Sequence, residues 1–158
     1  MAMKDDISYL REAIAIAWES RKAGNHPFGA LLVDPDGEIV VRAGNTHSVD
    51  KGIGHAELNV AREAAVRFAP EVLERSMLVT SVEPCSMCAG GTYWSGIGTL
   101  VFGMSEARLA TLTGDNPENL TMDLDCRKVL AAGQRKVEVR GPYPELEADI
   151  VATHEGFW

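Results

Sequence analysis

The chain has 158 residues, 46% of them hydrophobic and 24% charged, a composition typical of one soluble globular domain. Its formal net charge of −8 disfavours binding to the phosphate backbone of a large nucleic acid. Three cysteines are too few for a disulfide framework, no apolar run is long enough for a membrane span, and residues 1–6 lack a signal-peptide core. We therefore expect one cytoplasmic domain, residues 1–158, without membrane contact.

Apolar residues recur at helical spacing near the start of the chain and predict a first helix. Asp6 or Ser8 can cap this helix, and Gly24 can end it. Its expected buried stripe consists of Leu10, Ile14, Ala17 and Trp18.

The rest of the chain alternates between predicted strands and helices. The turn at 34–37 joins strands 28–33 and 38–41 in a hairpin. The later elements are a helix over 55–68, a strand over 77–80, a helix opened by Pro84 and broken by Gly96 and Gly98, a strand over 99–102, helices over 108–112 and 127–132, a strand over 137–139 and a helix over 144–154. This order predicts an α/β fold, with a mixed sheet of five strands between helical layers.

Two short motifs, His55-Ala56-Glu57 and Pro84-Cys85-Ser86-Met87-Cys88, provide the residues for a metal site. One imidazole and two thiolates can hold Zn²⁺ and leave its fourth position open for water. Cys85 and Cys88 are three residues apart, so a helix places them on one face, and Pro84 suits the first helical position. Zinc lowers the pKa of bound water from about 15.7 to roughly 7, and Glu57 is placed to carry the proton.

Each motif alone has another interpretation. The cysteine pair is also typical of a thioredoxin-like thiol redox protein, and His55-Ala56-Glu57 can be a helix cap with a solvated acid. A zinc-stabilised binding module is a third alternative. Because the two motifs occur together on successive predicted helices, they favour a hydrolytic zinc site. Cys126 lies in a predicted helix and is expected to be a buried small hydrophobe.

The chain resembles the cytidine deaminase-like superfamily, in the branch of guanine deaminases, fungal-type cytosine deaminases and bacterial tRNA adenosine deaminases. The resemblance is carried by the two motifs above and by Pro27-Phe28-Gly29-Ala30, Gly44-Asn45 and Tyr93-Trp94. It implies a three-layer α/β/α sandwich and, in most members of this branch, a homodimer. It also implies that His55, Cys85 and Cys88 hold zinc, that Glu57 shuttles protons and that Asn45 hydrogen-bonds the substrate.

By this resemblance the substrate is a free nucleobase or nucleoside, with guanine as first choice and tRNA adenosine deamination as the alternative. The acidic segment of 145–155 favours a small substrate over RNA. Phe28 and Trp94 match aromatic pocket positions of guanine deaminases, although plain core packing explains them equally. Asp115 lies near the acid that those enzymes use to bind the base, but its sequence is also typical of a turn. Trp158 is expected to cover the pocket as a lid, the alternative being an apolar tail packed on a neighbour.

Overall fold

The computed structural model describes residues 2–158. Its helices are α1 (Asp6–Lys22), α2 (His47–Asp50), α3 (Ala56–Arg67), α4 (Pro70–Leu73), α5 (Ser86–Ser95), α6 (Glu106–Thr113), α7 (Cys126–Ala131) and α8 (Glu147–His154). Its strands are β1 (Gly29–Val33), β2 (Ile39–Gly44), β3 (Met77–Val82), β4 (Thr99–Met104) and β5 (Glu138–Arg140), and single 3₁₀ turns occupy Lys51–Ile53 and Pro144–Leu146. In residues 2–158, every helix is too short or too polar to cross a bilayer.

The five strands form one mixed sheet in the order β2-β1-β3-β4-β5. β1 is antiparallel to both of its neighbours, whereas β3, β4 and β5 run parallel. α1 contacts α8 on one side of the sheet, and α3 contacts α5 on the other. The predicted three-layer α/β/α architecture is therefore confirmed.

The central strands are buried because their side chains are apolar on both faces. Every residue of β1 and of β3 is buried, as expected for strands covered by helices on either side. β2 lies at the edge of the sheet and keeps only Val41 fully buried. The hairpin between β1 and β2 is confirmed: Asp34 Oδ1 accepts hydrogen bonds from the backbone N–H groups of Asp36 and Glu38, and Gly37 takes a φ of +88°.

The caps of two helices differ from the sequence prediction. Asp5, rather than Asp6 or Ser8, caps α1, because its side chain accepts a hydrogen bond from the backbone N–H of Ser8 across 2.8 Å. α5 begins at Ser86, with Cys85 at its N-cap, so Pro84 lies before the helix rather than in its first turn.

The expected buried stripe of α1 is correct except for Trp18. Leu10, Ile14 and Ala17 are buried, but Trp18 is 39% exposed. Tyr9, at the position preceding Leu10, is fully buried instead.

The topology brings three helix starts to one edge of the sheet. α5 follows the carboxyl end of β3, and α6 follows the carboxyl end of the neighbouring parallel strand β4. α3 begins at Ala56, with His55 at its N-cap, and packs against α5. Both predicted motifs therefore meet where ligands gather in sheets of this kind.

Candidate metal centre and pocket

His55, Cys85 and Cys88 converge at the starts of α3 and α5. The Nδ1 atom of His55 lies 3.5 Å from Cys85 Sγ and 3.4 Å from Cys88 Sγ. A tetrahedral zinc ion with ordinary zinc–sulfur and zinc–nitrogen bonds separates such atoms by about 3.6 Å. Distances and donor chemistry therefore fit a zinc ion bound by this set, with a fourth position left for another ligand.

The pKa values of the two cysteines are shifted in opposite directions. The hydrogen bond with Cys88 lowers the pKa of Cys85 to about 4, and the contact with His55 acts in the same direction. The hydrogen bond between the two cysteines raises the pKa of Cys88, which is fully buried. The lowered pKa of Cys85 favours its thiolate, which is the form of cysteine that binds zinc.

Glu57 lies in the first turn of α3, two residues after His55, and only 6% of it is exposed. Its burial raises the pKa of the carboxyl group to about 7. Glu57 and two of the candidate metal ligands, His55 and Cys85, line the same cavity, of about 240 Å³. A carboxyl group so placed can take up and release a proton near neutral pH.

Asn45 presents a hydrogen-bond donor on the cavity wall. Its Oδ1 atom accepts a hydrogen bond from the backbone N–H of His47 across 2.7 Å, which fixes the orientation of the amide. Among residues 2–158, the amide NH₂ group of Asn45 has no protein acceptor, although only 4% of the residue is exposed. This group is therefore available to a ligand.

Phe28 lines the cavity, and Trp158 lies behind that wall. The ring of Trp158 packs at 6.1 Å from Phe28 and at 4.9 Å from His26, and its Nε1 donates a hydrogen bond to His154 Nδ1 across 2.9 Å. Phe28 and His26 line the cavity, whereas Trp158 does not. Trp158 supports the wall from outside, rather than forming the expected lid over the pocket.

The structure does not bring Trp94 or Asp115 into the cavity. Trp94 is 85% exposed and packs edge-on against Tyr93, because α5 turns Cys88, Ala89 and Thr92 inward and leaves Trp94 outside. Asp115 is exposed in the loop after α6. The same loop contributes a different acid, Glu118, to the cavity wall.

Three of the cavity residues form a cluster that the sequence analysis did not predict. Glu118 Oε1 lies 2.9 Å from His26 Nε2 and 3.2 Å from His47 Nε2, and the two imidazole rings stack at 4.2 Å. A metal ion bound to an imidazole nitrogen lies close to the plane of the ring. Because these two rings are stacked with only 21° between their planes, one ion does not lie in both planes at bonding distance. The cluster is better described as a carboxylate shared by two imidazoles. No spacing in the sequence relates residues 26, 47 and 118.

Glu106 is another cavity residue that sequence reasoning missed. It is the first residue of α6, and 4% of it is exposed. Its burial raises the pKa of the carboxyl group to about 9, with Cys85 and Glu57 acting in the same direction. Cys126 is fully buried, as predicted, and its burial raises the pKa of the thiol.

Comparisons with known proteins point in the same direction as this geometry. Residues 3–104 match the family described as "Cytidine and deoxycytidylate deaminase zinc-binding region". The chain is 39% identical over 153 residues to a probable cytosine deaminase of Schizosaccharomyces pombe, which covers 97% of this chain and 92% of the relative. It is 39% identical over 102 residues to a tRNA-specific adenosine deaminase of Bacillus subtilis, which covers 64% of this chain and 63% of the relative.

Solved structures also share the fold. That of the guanine deaminase from Nitrosomonas europaea superposes with a TM-score of 0.72 at 19% identity, covering 98% of this chain and 87% of the other. At this identity the similarity establishes the fold alone.

Proposed function

The chain belongs to the cytidine and deoxycytidylate deaminase family of zinc-dependent enzymes, and from this premise we propose that it hydrolyses the exocyclic amine of a free nucleobase. The products are the oxo-base and ammonia. The observation that carries the proposal is the shared cavity: His55, Cys85, Glu57 and Asn45 all line it. Membership of this family displaces the thiol redox interpretation of Cys85 and Cys88.

Different residues of the cavity would bind the metal, transfer protons and bind the substrate in such a reaction. Zinc held by His55, Cys85 and Cys88 supplies Lewis-acid activation of a water molecule. Glu57 takes up a proton from that water, whose oxygen bonds to the carbon that bears the amine, and delivers the proton to the adjacent ring nitrogen. Transfer of the second water proton to the amine then lets the C–N bond break, and the amine leaves as ammonia. The NH₂ group of Asn45 donates a hydrogen bond to an acceptor on the ring.

We propose cytosine and guanine together as the first candidate substrates. The guanine expectation used Phe28, Trp94 and Asp115, and of these only Phe28 lines the cavity. Similarity to the probable cytosine deaminase extends over 97% of the chain and supports a pyrimidine. Both bases carry the ring acceptor that the NH₂ group of Asn45 requires.

Adenosine in tRNA is the second candidate, because a tRNA-specific relative matches 64% of the chain at 39% identity. The net charge of −8 opposes it, since RNA phosphates are repelled by an acidic surface. We retain it as an outcome of the test below.

The homodimer implied by the resemblance also remains a proposal. The large apolar side chain of Trp94 is 85% exposed in the single chain, which supports burial against a second copy. Its direct test is the molar mass in solution, measured by light scattering for the wild type and for Trp94→Glu. A monomeric wild type would contradict the proposal.

The experiment that tests the function is ammonia release by the zinc-loaded protein. The panel contains cytosine, guanine, isocytosine and adenine, their nucleosides and an anticodon-arm RNA. Glu57→Gln serves as the inactive variant, and Glu63→Gln, an exposed acid on the same helix, serves as the matched control.

Release from one free base by the wild type and by Glu63→Gln, but not by Glu57→Gln, would support the proposal. Release from the RNA alone would replace it with tRNA deamination. If the zinc-loaded protein released no ammonia from any base or nucleoside, the proposed substrate class would be contradicted.

A further inference from the structure

The carboxyl group of Glu106 is buried without a hydrogen-bond partner. The residue begins α6 directly beyond the carboxyl end of β4, and 4% of it is exposed. It lines the cavity that contains Glu57 and Asn45. Among residues 2–158, no donor or cation lies within hydrogen-bond or ion-pair distance of its carboxyl oxygens, and neither oxygen is sealed from the cavity.

The start of α6 does not need this carboxyl group. Ser105 is the N-cap, and its side-chain oxygen accepts a hydrogen bond from the backbone N–H of Arg108 across 3.1 Å. The backbone N–H of Glu106 itself donates to Glu83 Oε1 across 2.9 Å. The carboxyl group of Glu106 therefore makes no capping hydrogen bond at the start of α6.

An unpartnered buried carboxyl group costs free energy, so folded proteins rarely keep one without a ligand for it. The environment of Glu106 is acidic as well as buried: Glu57, Glu83 and Asp123 all raise the pKa of its carboxyl group. A carboxyl group held in its neutral form offers an acceptor oxygen and an O–H donor side by side. The cavity thus contains a hydrogen-bonding group with no partner among the described residues, 2–158.

Asn45 supplies the complementary half of this recognition. Its NH₂ group can only donate, so it pairs with a carbonyl oxygen or a bare ring nitrogen of the ligand. Glu106 is a group on the cavity wall that can accept a hydrogen bond from a ring N–H, and its carboxyl oxygens have no partner among residues 2–158. An amino-oxo heterocycle presents both kinds of group on one flat ring.

We propose that Glu106 is a specificity-determining residue that accepts a hydrogen bond from the ring N–H which a free base carries and its nucleoside lacks. In a nucleoside the sugar replaces that hydrogen, so the acceptor oxygen of Glu106 stays unpaired and the sugar crowds it. The pocket consequently selects free bases over nucleosides. This inference rests on the proposed function and adds to it the group that distinguishes the two substrate classes.

The test compares each free base with its analogue methylated at the nitrogen that bears the sugar, namely cytosine with 1-methylcytosine and guanine with 9-methylguanine. The wild type is expected to favour the free base by about 10- to 100-fold in kcat/KM, the range for one buried hydrogen bond whose partner is left unpaired. Glu106→Leu should bring this ratio close to one, mainly by losing activity on the free base.

Two further variants make the result specific. Glu106→Gln should keep the preference, because its amide oxygen accepts the same N–H. Glu147→Gln, an exposed acid that pairs with Arg108 of the same helix, should leave the ratio unchanged. Thermal unfolding verifies that Glu106→Leu is folded, and Glu106→Met, an unbranched apolar alternative, replaces it if it is not.

Calorimetric binding of the same base and analogue separates this inference from the reaction itself. A protein that deaminates a free base, while Glu106→Leu keeps the full preference for it in both assays, overturns the role of Glu106 alone. A wild type that neither deaminates nor binds any base overturns the role of Glu106 together with the proposed function. If the wild type binds the free base selectively without deaminating it, and Glu106→Leu loses that selectivity, the role of Glu106 is supported and only the reaction is contradicted.

Discussion

One carboxylate oxygen of Glu83 accepts a hydrogen bond from the backbone N–H of Cys126 across 2.8 Å. The other oxygen accepts from the backbone N–H of Glu106 across 2.9 Å, and the residue is only 6% exposed. Glu83 lies between the end of β3 and Cys85, a candidate metal ligand. A single buried side chain therefore connects the starts of α6 and α7 to the segment that carries the metal centre.

We expect Glu83→Gln to destabilise the protein by about 1–3 kcal/mol. The amide oxygen can keep one of the two hydrogen bonds, but the NH₂ group then faces the second backbone N–H. Urea unfolding measures the loss, with Glu138→Gln, an acid on the exposed edge strand, as the control. Equal stability of Glu83→Gln and the control would contradict the bridging role.

Glu57→Gln is expected to keep the fold and its zinc while losing activity by a factor of about 10²–10⁴. The amide preserves the size of the buried side chain but cannot carry a proton. Zinc content is measured by atomic emission, and kcat by ammonia release. Loss of zinc from this variant would indicate that Glu57 binds the metal instead, and unchanged kcat would remove it from the reaction.

Zinc removal should lower the thermal stability, because the ion links the starts of α3 and α5. At free zinc about 1,000 times above Kd, binding adds about 4 kcal/mol, which corresponds to roughly 8–16 °C in Tm for a chain of this size. Calorimetric scans with and without a chelator measure the shift.

Two histidine variants locate the ion responsible for that shift. His55→Ala should abolish the response of Tm to zinc. His47→Gln, in the cluster with His26 and Glu118, should retain it. The reverse pattern would move the metal centre to the second cluster.

His154 should make the stability fall as the pH is lowered from about 6.5 to 4. Its burial lowers the pKa from 6.5 to about 4, so in this range the unfolded chain binds a proton that the folded chain excludes. The loss reaches roughly 3 kcal/mol near pH 4 and levels off below that pH, where the folded chain also binds the proton. Urea unfolding across the range should show a flatter profile for His154→Gln. Identical slopes for the variant and the wild type would contradict the assignment.

Local patterns predicted the sheet, and they singled out the three side chains that converge in the candidate metal centre. His55 and Glu57 are two residues apart, Cys85 and Cys88 are three apart, and both pairs sit at helix starts. Spacing this short is fixed by helix geometry, so the sequence is enough to predict it. The strands were found because β1, β3 and β4 are nearly continuous apolar runs.

The remaining cavity residues depend on tertiary contacts. Glu118 reaches His26 from 92 residues away, through a loop without regular structure. Nothing in the turn-like sequence around Asp115 indicates which of its acids faces inward. Glu106 resembles any acid at a helix start, where an exposed carboxylate is common. Only the packing of α6 beyond β4 reveals that this one is buried.

The contacts between the first helix and the last elements set a condition on folding. Asp6 pairs with Arg140 across 134 residues, Arg11 with Asp149 across 138, and Arg21 donates to the carbonyl oxygen of Thr153 across 132. At ordinary synthesis rates α1 leaves the ribosome on the order of 10 s before these partners. Closing such long loops is also entropically costly. These polar contacts of α1 can therefore form only after β5 and α8 have been made, whereas the apolar face of α1 can pack earlier on β1 and β3.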